Sequence, residues 1–99
     1  MKKQSKAEKD LQDFEKIFWA LSHETRRHIL VVLNSRGGKV SAGDIANRFS
    51  CSWPTTTRHL KVLLDAELVQ TEKDGRENYY HLNKERLSKI NEWLKWFND

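Results

Sequence analysis

Apolar residues recur along this chain at two periods, and the place where the period changes divides it. Leu11, Phe14, Phe18 and Leu21 stand at helical spacing with Lys, Asp, Glu and Gln between them, which predicts an amphipathic helix. The polar, basic residues 1–8 before it are expected to fray. Ser22 is placed to cap a second helix whose apolar face is Ile29, Leu30 and Leu33. Arg36-Gly37-Gly38 ends that pattern, because glycine accepts the backbone of a tight turn. Ser41 with Asp44 resembles a capping box with a shortened acid, opening a third helix with Ile45, Ala46 and Phe49 inward. Ser50-Cys51 makes a tight connection to a fourth helix. Ser52 is its N-cap, and Pro54 lies in the first turn, where a missing N–H costs nothing. That helix is predicted to run to about Ala66, with Thr56, Leu60 and Leu63 on one face.

After Leu68 the period becomes alternating. Val69 to Lys73 and Arg76 to Leu82 flank Asp74-Gly75, a strong hairpin signal. With those two residues as the loop, Lys73 opposes Arg76 at the tip and Val69 opposes Tyr80. Val69, Tyr80 and Leu82 then share the buried face. Asn83 is placed to cap a last helix bearing Leu87, Ile90, Leu94 and Phe97, with Trp93 and Trp96 alongside. The fold class is therefore mainly α (α+β), in the order α-α-α-α-β-β-α. Two short helices joined by a tight turn and followed by a hairpin make a winged helix-turn-helix.

With 99 residues, the chain is one domain, 1–99, whose small core leaves room for further burial by self-association. Charged residues make up 32% and apolar ones 37%, a balance that suits a soluble globular protein and excludes disordered and membrane classes. The longest apolar run, Ile29 to Leu33, is too short to span a bilayer. The N-terminus is Lys-rich without the apolar segment of a secretory signal, so a cytoplasmic location without a membrane partner is expected. Cys51 is alone, which excludes an intrachain disulfide and a Cys-based zinc cluster.

The net charge of +4 matters through its distribution. Between Arg36 and Lys61 lie Arg36, Lys39, Arg48, Arg58 and Lys61 against Asp44 alone. That segment holds the fourth helix, whose front carries Ser52, Trp53, Thr55, Thr57, Arg58 and Lys61. A helix so placed enters the major groove of double-stranded DNA with its N-terminal residues toward the base edges. Its hydroxyls serve as donors or acceptors, and Arg58 is able to fork onto guanine O6 and N7. Lys61, further along, suits a phosphate. Trp53 is suited either to stacking on sugar and methyl groups or to packing on the preceding helix. Lys73 and Arg76 at the hairpin tip are candidates for phosphate or minor-groove contacts, although Glu72, Asp74 and Glu77 leave the hairpin mixed in sign.

Other chemistry is poorly supported. His23-Glu24 with His28 lacks the four-residue histidine spacing of a zinc-protease helix. His59 suits either a phosphate contact or the core between the two motif helices. Cys51, at the turn, has no resolving partner for a redox switch. No catalytic constellation stands out, and the chain is not expected to be an enzyme.

The segment Phe18-Trp-Ala-Leu-Ser-His-Glu-Thr-Arg-Arg-His-Ile-Leu30 resembles the second-helix signature of the ArsR/SmtB family of prokaryotic repressors. Ser52-Trp-Pro-Thr-Thr-Thr-Arg-His-Leu-Lys-Val-Leu63 is similar to that family's recognition helix. Ala66-Glu-Leu-Val69 and Gly75-Arg76 through Tyr80-His-Leu-Asn83 are similar to the segments around its wing. The resemblance implies a homodimer built by the first and last helices and bound to an inverted-repeat operator. Leu11, Phe14, Phe18, Trp93, Trp96 and Phe97 exceed what so small a core needs and are the candidate interface. The chain departs from the family's metal sensors. Its third helix and its last helix hold neither Cys nor His, so no metal ligand set or cofactor is expected, and the resemblance is to the metal-independent branch. Any small-molecule or protein effector stays open. The alternative reading is a winged-helix protein-interaction module without DNA binding.

Overall fold

Residues 3–37 and 39–98 are described in the computed structural model. The chain begins with α1 (Lys6–Leu21), inside the stretch expected to fray, because the Ser5 hydroxyl accepts from the Glu8 amide and caps it. The buried side of α1 is Asp13, Phe14, Ile17 and Ala20, while Leu11 is 58% exposed. The apolar face read from Leu11, Phe14, Phe18 and Leu21 is thus rotated: a buried acid takes part in the stripe, and Leu11 does not.

Helix α2 (Glu24–Arg36) is capped by His23, whose Nδ1 accepts from the Thr25 amide at 3.1 Å. Ser22, expected in that role, instead ends α1, its hydroxyl donating to the Trp19 carbonyl at 2.6 Å. Gly37 closes α2 in the left-handed conformation, φ 62°, as glycine does at low steric cost. A short strand absent from the sequence reading follows, β1 (Val40–Ser41). Ser41 then caps α3 (Ala42–Phe49), accepting from the Asp44 amide. Ser50 turns the chain through a left-handed residue, φ 51°, and Ser52 caps α4 (Trp53–Asp65).

Strands β2 (Val69–Asp74) and β3 (Glu77–Leu82) form the hairpin, and β1 adds to β3, so the antiparallel sheet has the order β1-β3-β2. The register differs from the expected one. Asp74 pairs with Glu77, Lys73 with Asn78 and Val69 with Leu82, which makes Gly75-Arg76 the loop. Gly75 alone takes positive φ, 65°, the pattern of a type II′ turn; an Asp-Gly loop of type I′ would force Asp74 there as well. A shift of two positions leaves every side chain on its face, so Val69, Tyr80 and Leu82 still lie together.

The single C-terminal helix read from the sequence is broken. Asn83 caps α5 (Lys84–Leu87), and tighter i→i+3 bonds around Ser88 and Lys89 lead to α6 (Ile90–Leu94) and a 3₁₀ turn (Lys95–Phe97). The core joins Ile17 and Ala20 of α1, Ile29, Leu30 and Leu33 of α2, Ile45 of α3, Leu60 and Leu63 of α4, and Val40 and Val69 of the sheet. Each fully buried Leu or Ile contributes about 1.5–3 kcal/mol of transfer free energy. Three helices, α1, α2 and α3, and the sheet converge on α4, which fixes its direction.

Candidate nucleic-acid interface

Helix α4 presents its two faces as its sequence requires. Thr56, His59, Leu60 and Leu63, at positions i, i+3, i+4 and i+7, are buried against the core. Ser52, Trp53, Thr57, Arg58 and Lys61 are exposed, and Thr55 is half-buried. The Ser52 hydroxyl is occupied with the cap: it accepts from the Thr55 amide at 3.3 Å and donates to Thr55 Oγ1 at 3.0 Å. The Thr55 hydroxyl therefore keeps its own proton for a further acceptor. Trp53 is 60% exposed, so its ring is largely uncovered. Arg58 has no carboxylate within salt-bridge distance among the described residues, whereas Lys61 lies 3.8 Å from Asp65. The guanidinium is thus the freer cation of the two.

The back of α4 holds two polar side chains that the sequence left open or passed over. The Thr56 hydroxyl is buried without a hydrogen-bond partner. His59 is buried, 4.5 Å from the His23 ring by centroid and with Nδ1 3.4 Å from an Arg26 nitrogen. Of its two open roles His59 takes the core one, and burial, reinforced by the nearby positive groups His23, Arg26 and Arg58, holds its imidazole below the usual range.

Arg26 is the residue that links α1, α2 and α4. Its Nε donates to the Ala20 carbonyl at 2.7 Å and one Nη donates to the Trp19 carbonyl at 3.0 Å. Both carbonyls belong to the last turn of α1; that of Trp19 also accepts from the Ser22 amide and hydroxyl, whereas that of Ala20 relies on Arg26. Spacing could have revealed it, because Arg26 falls three, four and seven positions before Ile29, Leu30 and Leu33 and shares their face. Trp19, also passed over, is 66% exposed beneath that guanidinium.

On the wing, Arg76 stands in the loop and Lys73 lies down the strand opposite Asn78, so the structure separates two side chains expected to face one another. Both are exposed. On the other face, Lys39 bridges to Glu72 at 3.3 Å and Asp74 at 3.8 Å, and sits 5.7 Å from the centre of the Tyr79 ring. The acidic residues of the wing are therefore partly neutralised by a cation from the start of β1.

Of the aromatic cluster, Phe14 is 6% exposed and stacks on Phe18, so its ring is spent within the protomer. Phe18 meets Trp93 edge-on at 5.0 Å, and Trp93 meets Phe97 at 4.9 Å. Trp96 and Phe97 remain 74% and 67% exposed and, with Leu11 and Leu94, leave apolar surface along α1 and α6. Among the described residues no group of three or more His, Cys, Asp or Glu side chains is placed to hold a metal ion, and no helix is long and apolar enough to cross a membrane. Cys51 is half-buried, its thiol directed at the Phe49 carbonyl.

The helix-turn-helix domain family matches residues 21–72, the span from the end of α1 into β2. The chain is 40% identical to the transcriptional repressor SdpR of Bacillus subtilis (strain 168), over 79% of this chain and 84% of that protein. It is 38% identical to the arsenical resistance operon repressor of Staphylococcus xylosus, over 88% of this chain and 82% of that one. Among solved structures, an ArsR-like transcriptional regulator from Rhodococcus sp. RHA1 superimposes with a TM-score of 0.78 at 32% identity, covering 87% of this chain and 77% of its own. With α3 and α4 as the helix-turn-helix and β2 and β3 as the wing, this chain belongs to the ArsR/SmtB family of helix-turn-helix DNA-binding transcriptional regulators.

Proposed function

We propose that this protein is a cytoplasmic transcriptional repressor that binds an inverted-repeat operator as a homodimer and needs no metal or other cofactor to do so. The observation that carries this reading is α4 itself, a helix buried along Thr56, His59, Leu60 and Leu63 and open along Trp53, Thr57, Arg58 and Lys61. Arg58, unpaired among the described residues, reads guanine in the major groove, and the Thr55 and Thr57 hydroxyls serve neighbouring base edges or phosphates. Lys61 meets a phosphate. Ser52 fixes the start of the helix, and Trp53 stacks on sugar or methyl groups beside it. Arg76, in the wing loop, reaches the adjacent backbone, with Lys73 behind it.

Two subunits, joined across the apolar surface of Leu11, Phe18, Trp93, Trp96 and Phe97, place their α4 helices in successive major grooves about 34 Å apart. Metal independence is supported by the residues available. Helix α3 and the segment from α5 to the 3₁₀ turn contain neither Cys nor His, the ligand types that a thiophilic metal requires. Relatives are named for arsenical and for cadmium resistance, so this feature separates this chain from them if operator binding here is insensitive to arsenite, cadmium and zinc.

The test is enrichment of genomic DNA fragments by the purified protein, with Arg58→Ala alongside. Recovery of an inverted repeat that the variant loses supports the repressor reading and identifies the targets. Failure to enrich any fragment at low salt would overturn it in favour of a winged helix that binds a protein partner.

A further inference from the structure

We infer that the buried His59, with His23 beside it, forms an acid-sensitive latch behind the recognition helix, which releases α4 from its DNA-binding position when the His59 imidazole gains a proton. Both rings work as acceptors at Nδ1. His23 Nδ1 accepts the Thr25 amide and so caps α2. His59 Nδ1 lies 3.4 Å from Nη1 of Arg26, a group that only donates, so this nitrogen is the acceptor. The rings themselves are 4.5 Å apart by centroid. In this arrangement the His59 ring is neutral, with its proton on Nε2.

A proton added at Nδ1 of His59 turns that acceptor into a donor aimed at a guanidinium. The charged and titratable groups acting on His59 are His23 and Arg26 from the start of α2 and Arg58 from its own helix. Helix α1 contributes the Trp19 and Ala20 carbonyls, both held by Arg26, and α3 and β2 bring no titratable group to it among the described residues. Among the described residues no carboxylate counts among the groups acting on His59 to welcome the added charge, and burial together with these cations opposes it. Arg26 cannot withdraw without leaving the Ala20 carbonyl at the end of α1 unpaired. The yielding element is therefore His59, and with it the N-terminal half of α4, where the DNA-facing side chains sit.

The direction is diagnostic. A protein that simply becomes more positive in acid binds DNA more tightly. The latch predicts that it binds more weakly. The inference rests on the operator-binding reading, so two measurements are needed. At fixed ionic strength, operator affinity of the wild type should weaken on the order of tenfold between pH 7.5 and 5.5, the factor expected for losing one hydrogen bond to a charged donor. The double variant His23→Ser and His59→Asn keeps an uncharged cap and an acceptor near the Nδ1 position, and it should lose this response. Separately, hydrogen exchange without DNA should show the α4 amides losing protection in acid in the wild type and not in the double variant. Equal acid responses in both proteins, or tighter wild-type binding in acid, would overturn the latch. If no operator is bound at any pH, the repressor reading fails, and the exchange comparison still decides the latch.

Discussion

Arg86 reaches back across 73 positions of sequence to Asp13, its Nη2 donating to Oδ1 at 3.2 Å. The same guanidinium holds the Ala66 carbonyl at 2.9 Å, so one side chain ties α5 to α1 and to the end of α4. Lys9 donates to the same Asp13 oxygen from the other side. Burial alone would raise the Asp13 carboxyl, but these hydrogen bonds and charges together outweigh it and hold it at about 2.

That displacement makes Asp13 an acid-stability determinant. Its folded value lies below the ordinary 3.8, so its contribution is complete above about pH 4 and is lost as pH falls through about 2. The contribution is about 2 kcal/mol by the usual conversion. Asp13→Asn should lower stability at pH 7 by about 2 kcal/mol, since Arg86 then keeps only the exposed Glu67 carboxylate, 3.2 Å away, as its charged partner. It should also flatten the loss between pH 4 and pH 2. Urea unfolding across that range checks both, and an unchanged slope would remove Asp13 from the account.

Thr56 offers the opposite case. Its buried hydroxyl lacks a partner, so Thr56→Val, which keeps the shape, should raise stability by about 1 kcal/mol without altering operator affinity. A fall in the urea midpoint would show that the hydroxyl is hydrogen-bonded in solution.

Arg58 and Lys61 should separate by kind of loss. Arg58→Ala should cost about 1–3 kcal/mol on the operator and little on random duplex, relaxing discrimination. Lys61→Ala should weaken both duplexes alike and reduce the salt slope by about one. Titrations against both duplexes at several salt concentrations distinguish these roles. Equal losses for Arg58→Ala would make it a phosphate contact.

Trp93→Ala combined with Trp96→Ala should give monomers, because these two indoles supply much of the apolar surface on α6 and the turn after it. Sedimentation equilibrium reads the result directly. A dimer that survives the double substitution would place the interface elsewhere.

Much of this fold was legible because its signals are local. Ser52 before Trp53-Pro54, the spacing of Thr56, Leu60 and Leu63, and the turn residues around Gly75 each act within a few residues. The cap and the helix therefore appear where the residues predict them, and the hairpin does so with its register shifted by two positions. The front of α4 could be read for the same reason: whatever faces away from a known apolar stripe is exposed.

What the sequence by itself determined is the order of the first four helices and the hairpin, the faces of α4 and the common face of Val69, Tyr80 and Leu82, since period and turn chemistry act at short range. The tertiary structure decided which polar residues enter the interior. Asp13 is buried because Arg86 and Lys9 meet it, and Arg26 because the Ala20 carbonyl at the end of α1 lies open beside it. It also decided the β1 pairing, since a two-residue strand has no period and exists only when β3 lies alongside. A long-range charge pair has no signature in a local window, because the free energy that permits its burial comes from a partner dozens of residues away.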